Sequence, residues 1–209
     1  MMGRRNPQKP LTAKQQALDR RRAAAHAAQK EKMLIAAAQV FCERGFEASS
    51  MDQIAARVGL KKPRLYFHFK KREILKACIE RAIREWHNVI AEIGDGSNGE
   101  VTLKSIIERY ADVAFSDFGF CAIFVGTSSL MSDEASSLQN KRAAIEIEFK
   151  CLLAQKSQGT AGSSTNTELH WLIASSLVHG IALLKLPQVG KCKALSRALG
   201  AVPVFNGEI

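Results

Sequence analysis

Lys61, Lys62 and Arg64 crowd one short stretch of the chain, and Lys70, Lys71 and Arg72 crowd another just beyond it. Each group falls where the local pattern starts a helix, and a helix start already carries positive potential from its unpaired amides. Like charge there costs about 0.3–1 kcal/mol per residue, so an isolated helix would avoid it. Elsewhere in the chain the dipole rule is kept: Asp133 and Glu134 follow Ser132 at one predicted helix start, and Glu168 opens another. An external anion makes the basic placement favourable, and a nucleic-acid backbone presents such anions in a row. Tyr66 and His68 lie between the two cationic groups and add side chains able to hydrogen-bond phosphate. This reading requires the cations to share an outward surface and not to be neutralised by acids of the same chain.

The elements that must position these residues follow from periodicity. Leu34, Ala37, Ala38 and Phe41 recur at helical spacing up to Gly45. Ser50-Met51-Asp52-Gln53 is a capping-box pattern that opens a second helix, with Met51, Ile54, Ala55 and Val58 on one face. Gly59 permits a left-handed turn, Pro63 restarts the chain as a first-turn residue, and Leu65 and Phe69 point inward from a third helix. Small Ala55 four residues before Gly59 suits a close helix crossing, so 51–70 has the pattern of a helix-turn-helix.

Charge is distributed to match. The 209 residues are 46% hydrophobic and 24% charged, with a net charge of +10, an ordinary balance for a folded chain. Residues 1–76 hold eighteen Lys/Arg against six Asp/Glu, and residues 77–209 hold twelve against fourteen. A polyanion-binding module joined to a near-neutral partner domain is the natural reading. Residues 1–30 form a basic arm, with eight Lys/Arg and one Asp, expected either to lie along a DNA backbone or minor groove or to remain a solubilising tail. His26 within it reads as a solvent-facing residue. The stretch from Thr12 to Arg44 lacks Gly and Pro, so it either extends the first helix or frays.

The run Ser49-Ser50-Met51-Asp52-Gln53-Ile54-Ala55-Ala56-Arg57-Val58-Gly59-Leu60, followed by Leu65-Tyr66-Phe67-His68-Phe69-Lys70-Lys71-Arg72-Glu73-Ile74-Leu75, resembles the DNA-binding domain of the tetracycline-repressor (TetR) family over residues 33–76. The resemblance implies an all-α homodimer whose three N-terminal helices read DNA. A fourth helix then leads to a ligand-responsive domain, and helices 8 and 9 make the dimer interface. It further implies that Tyr66, His68, Lys70 and Lys71 contact phosphates, that Lys62, Pro63 and Arg64 face base edges, and that Ser50 caps a helix near phosphate. Lys61 replaces the family's usual hydroxyl cap, Pro63 a small residue and Arg64 a frequent Thr. The function implied is a ligand-responsive repressor on a palindromic operator; the alternative is an architectural DNA-binding protein whose C-terminal domain only dimerises.

Beyond a fourth helix over 71–93, carrying Trp86, the Gly-rich stretch 94–99 marks a boundary region. The organisation expected is an arm (1–30), a helix-turn-helix domain (31–76) and a helical regulatory and dimerisation domain (77–209). Within the last, Leu103, Ile106, Ile107, Tyr110 and Ala114 lie on a fifth helix that Gly119 interrupts. Leu138, Ile145, Phe149 and Leu152 stripe a seventh; Thr165-Asn166-Thr167-Glu168 caps an eighth running to Leu186, before Pro187; and a ninth spans 191–199. Trp86, Tyr110, Phe115, Phe118, Phe120, Cys121, Phe124, Met131 and Trp171 are ligand-pocket candidates or ordinary core. They lack an obvious cation, which points to a small neutral or apolar effector. On helix 8, Ser176 and Gly180 offer a small-residue face flanked by Leu177, Ile181 and Leu184, suited to a second subunit.

Other chemistries find no support. His87, His170 and His179 have no nucleophile or carboxylate at interpretable spacing, so no enzyme, cofactor or metal site is expected. The five cysteines are odd in number and never form C-x-x-C, which suits a reducing cytoplasm. The most apolar run, 171–186, is too short and too polar to span a membrane, and no signal sequence is expected at the N-terminus.

Overall fold

The computed structural model describes residues 13–95, 102–125, 132–157, 164–184 and 186–201. Among these the chain is all helix and turn, without strands. The order is α1 (Ala13–Arg44), α2 (Met51–Val58), α3 (Lys62–His68), α4 (Lys71–Gly94), α5 (Leu103–Ala114) and α6 (Asp117–Phe120), then one π-helical turn over Cys121–Val125. It continues with α7 (Ser132–Ser157), α8 (Ser164–Ala182) and α9 (Gln188–Gly200).

α1 and α4 form the spine of a single apolar core. Met33, Ala37, Ala38 and Phe41 of α1 and Leu75, Cys78, Ile79, Ala82 and Trp86 of α4 are all buried in it. α1 packs on α2, α4 and α6, while α4 also meets α5, α7 and the π turn. Two ion pairs fasten neighbouring helices: both guanidinium nitrogens of Arg57 donate to the Glu43 carboxylate at 2.7 Å, and Lys76 meets Glu134 of α7 at 2.8 Å. Both pairs are solvent-exposed, so they register the helices more than they stabilise them.

In the second half of the core, Trp86 stacks on Tyr110 with centroids 5.6 Å apart, and Tyr110 meets Phe149 and Trp171 edge-on, both at 5.1 Å. The Trp86 indole N–H donates to the Tyr110 carbonyl at 3.1 Å. The Tyr110 hydroxyl meets Nε2 of His179 at 3.1 Å. Burial holds the His179 imidazole below its ordinary range, with Glu146 opposing and Arg142 reinforcing the shift.

Several expectations need correction. Gly119 does not interrupt the helices; it lies inside α6, where an added Cβ would collide with the Val113 carbonyl. It is there for close backbone approach. On α7 Leu138 is buried as expected, but at the other end of the stripe the buried leucine is Leu153, while Leu152 is half-buried. α8 starts at Ser164, so Thr165 is no N-cap and Glu168 does not open the helix; no residue between Ser164 and Glu168 breaks a helix. α8 also ends at Ala182 rather than Leu186, because the Pro187 ring excludes helical geometry at the residues before it. Lys191 caps the freed end by donating to the Ala182 carbonyl at 2.8 Å, and α9 begins earlier than expected, at Gln188. The stretch 96–99 of the expected boundary lies outside the described residues.

Gly119→Ala should lower the unfolding free energy by about 3 kcal/mol through overpacking. By contrast Gly59, with φ of +76° and open space at its Cβ position, should tolerate Asn better than Ala, since Asn enters the left-handed region at less strain; urea titration reads both. His179 should make stability pH-dependent. With its folded pKa lowered, the unfolded chain binds more protons below the ordinary 6.5, so stability rises with pH across the window between the two values. The urea midpoint should therefore drop on mild acidification, and drop less in His179→Gln; an equal drop would remove His179 from the account.

Candidate nucleic-acid interface

The turn between α2 and α3 is built from the bottom by two end signals. Ser50 accepts from the Gln53 backbone N–H at 3.2 Å and Gln53 Oε1 accepts from the Ser50 N–H at 2.9 Å, completing the capping box. At the other end of α2, Gly59 donates to the Ala56 carbonyl and Leu60 to the Ala55 carbonyl, the paired bonds of a left-handed helix stop. Buried Ile54, Ala55 and Leu65 then fix α3 across α2.

On that frame α3 presents its cations outward. Lys61 is the N-cap with no side-chain cap, Pro63 sits in the first turn, and no acid stands there. Lys61, Lys62, Pro63, Arg64 and Tyr66 are exposed, Tyr66 at 49%. Lys62 is not unpartnered: its ammonium meets Asp52 at 2.7 Å and lies 5.9 Å from the Tyr66 ring centroid. Both groups of that pair are well exposed, so a phosphate competes for Lys62 at little cost. Arg64 is held by Gln29 of α1 at 2.9 Å. His68 is half-buried 5.0 Å from the His26 ring, and burial together with His26, Lys30 and Arg64 keeps its pKa below the ordinary range. His26 is exposed as expected but packs on His68.

The start of α4 departs from the dipole reading. Glu73 lies in its first turn and accepts from the Lys70 backbone N–H at 2.8 Å, so this terminus carries its own anion. Lys70 is exposed, and half-buried Lys71 sits 4.3 Å from the Phe46 ring centroid. Ser50 spends its hydroxyl on the cap. Phe67 is the residue the sequence did not single out: it is 84% exposed, opposite buried Leu65 and one turn from Pro63. Its type suggested core, and only the helix orientation shows otherwise.

The pocket candidates are not gathered in one place. Trp86, Tyr110 and Trp171 pack against each other and Phe149. Phe115 and Phe118 line a cleft of about 370 Å³ between α1, α6 and the start of α9, with Ile35, Asp117, Pro187 and Lys191. Phe120 and Phe124 pair at 4.9 Å, with Phe124 6.2 Å from the His179 ring. Cys121 is buried against the Ala38 carbonyl, and Met131 lies outside the described residues. A cation does stand near these aromatics: Arg142 of α7 reaches the Ala122 carbonyl at 3.5 Å and pairs with Glu146 of its own helix at 3.7 Å. Its contribution across the bundle could not be read from spacing within α7.

On α8, Ser176 and Gly180 are exposed on the side away from Trp171, Ala174 and Val178, while Leu177 and Ile181 are half-buried against the core; Leu184, expected on the same helix, is exposed in the turn beyond its end at Ala182. Leu169 and Leu172 extend that face at 52% and 61% exposure. The described cysteines are all free thiols, and no described residues form a metal-binding cluster. No described helix is long and apolar enough to cross a membrane.

Known proteins match this arrangement in two ways. Residues 33–78 match the family model for bacterial regulatory proteins of the tetR family. The HTH-type transcriptional activator FasR of Mycolicibacterium smegmatis is 45% identical over 98 residues, which span 44% of this chain and 43% of FasR. The fold extends further than the sequence match. PfmR of Thermus thermophilus, a TetR-family transcriptional regulator, superposes with a TM-score of 0.60 over 79% of this chain and 90% of its own, at 22% identity. AibR, crystallised with isovaleryl coenzyme A and operator DNA, does so at 0.61 over 80% and 95%, at 15% identity. Over residues 33–78 the chain is thus similar in sequence to bacterial regulatory proteins of the tetR family, and across most of its length it shares the fold of solved TetR-family structures.

Proposed function

We propose that this protein is a cytoplasmic, homodimeric, sequence-specific regulator of transcription, most simply a repressor, released from a palindromic operator by a small effector. The observation that carries the reading is the amino end of α3, where Lys61, Lys62 and Arg64 stand exposed around a terminus with no side-chain cap and no acid in its first turn, Lys62 meeting only the exposed Asp52 of α2. A phosphate completes that terminus. Arg64 and Pro63 then face base edges, Arg64 with a fork suited to guanine, and Phe67 supplies an apolar contact of the kind that thymine methyls accept. Tyr66, His68, Lys70 and Lys71 fix register on the backbone, and Ser50 holds α2 beside it.

The exposed face of α8, with Ser176 and Gly180 at its centre, supports pairing with a second copy, which would set two α3 helices about 34–36 Å apart. A dimer seated across a promoter excludes polymerase; seated beside it, as the activator name of FasR allows, it recruits. An effector among α4 to α8 shifts the population of head separations by binding one of them better. The ligand in the AibR complex supports an effector of this general kind. The mutual packing of Trp86, Tyr110, Phe149 and Trp171 favours the second reading, a purely architectural protein whose C-terminal half only dimerises. No enzymatic role is proposed.

Titration against the DNA upstream of its own gene at several salt concentrations tests both. Promoter preference over unrelated fragments supports regulation, and equal affinity for all fragments supports the architectural reading. Arg64→Ala should lose about 1–3 kcal/mol on the preferred site and relax specificity at one position. Lys70→Ala should weaken all sequences alike and reduce the salt slope by about one.

A further inference from the structure

α1 is far longer than its packing requires. Its apolar stripe begins at Met33, yet the helix starts at Ala13. Residues 14–28 are exposed without exception, so burial does not explain that stretch. Helix there is inexpensive: the sequence between Thr12 and Arg44 has no Gly or Pro, and lengthening an existing helix needs no nucleus.

Its surface narrows the partner. Leu18 is the one large exposed apolar side chain in this extension, so there is no stripe for a second helix or a lipid surface. Lys14, Arg20, Arg21, Arg22, Lys30 and Lys32 outnumber Asp19 and Glu31. The described ion pairs include none of Arg20, Arg21 or Arg22. A cationic rod without an apolar face fits a polyanion.

Its attachment narrows the place. Gln29 holds the Arg64 guanidinium at 2.9 Å, His26 packs on His68 at 5.0 Å, and Lys30 lies 6.0 Å from the Phe69 ring centroid. The extension therefore leaves the body of the protein along the flank of α3. From His26 to Ala13 it runs about 20 Å, the length of roughly six base pairs.

We infer that residues 13–32 are a helical DNA-contact element that continues the α3 surface along the same duplex, with Arg22 as its principal phosphate ligand. Arg22, His26 and Gln29 are spaced i, i+4, i+7 and share the face that touches α3. Arg21 is turned about 100° from that face, and Arg20 about 160°. Three consecutive arginines cannot all reach one backbone, so their contributions are ranked by angle rather than equal.

The inference rests on the proposed DNA binding, and the ranking separates the two. Salt-dependent anisotropy titrations on a labelled mixed-sequence duplex compare the full chain with Arg22→Gln and Arg20→Gln, which make the same charge change and keep helix propensity. Arg22→Gln should lower the slope of log K against log salt by about 0.9 per protomer, and Arg20→Gln should leave it near that of the unaltered protein. Circular dichroism should show the same helix content in all three. Equal slopes in all three overturn the inference, as does an equal drop in both variants, which would mean a diffuse field rather than a docked helix. Failure of the unaltered chain to bind any duplex would overturn the DNA-binding reading itself.

Discussion

The burial of α1 against α4 is the constraint on which the rest depends. Ala37 and Ala38 let the two backbones approach, while Met33, Phe41, Leu75 and Ile79 fill the space around them. α1 also carries α2 on one side and α6 on another. One helix therefore sets the tilt of the reading surface and feels the second half of the molecule. Because side chains in such a seam are close-packed, small displacements on one side are not absorbed locally.

Polar chemistry is arranged around that seam rather than within it. Cys42 donates to the Asp117 carbonyl at 3.3 Å, Cys78 to Leu34 at 3.6 Å and Cys121 to Ala38 at 3.8 Å, each tying a helix to its neighbour's backbone. Burial pushes the Cys78 thiol up, and the neighbouring Cys42 together with burial does the same to Cys121. Thiols so placed behave as small apolar residues with a weak donor.

How much of this was legible in the sequence depended on the range of the forces involved. The Ser50 capping box, the Gly59 stop and the inward Leu65 are local signals, and each stands where periodicity and turn chemistry put it. The end of α8 was misjudged because proline acts on residues up to four positions before it, and Gly119 because its reason is contact with Val113 across a turn. At the reading surface the cations were visible, and Glu73 under Lys70 was a local i, i+3 signal that the reading passed over, but Asp52 beside Lys62 and the 84% exposure of Phe67 needed the relative placement of helices. Arg142 beside Tyr110 and His179 is the same kind of long-range fact.

Gly119 leaves no side-chain layer between α6 and the end of α5, only main chain against main chain. Without a compressible cushion the two segments turn together, as a crank fixed to its shaft. Tyr110 rides on one arm of that crank, and Asp117, bonded to Cys42 of α1, on the other. Main-chain contact at Gly119 thus links the segment that carries Tyr110 to the one that meets the long first helix.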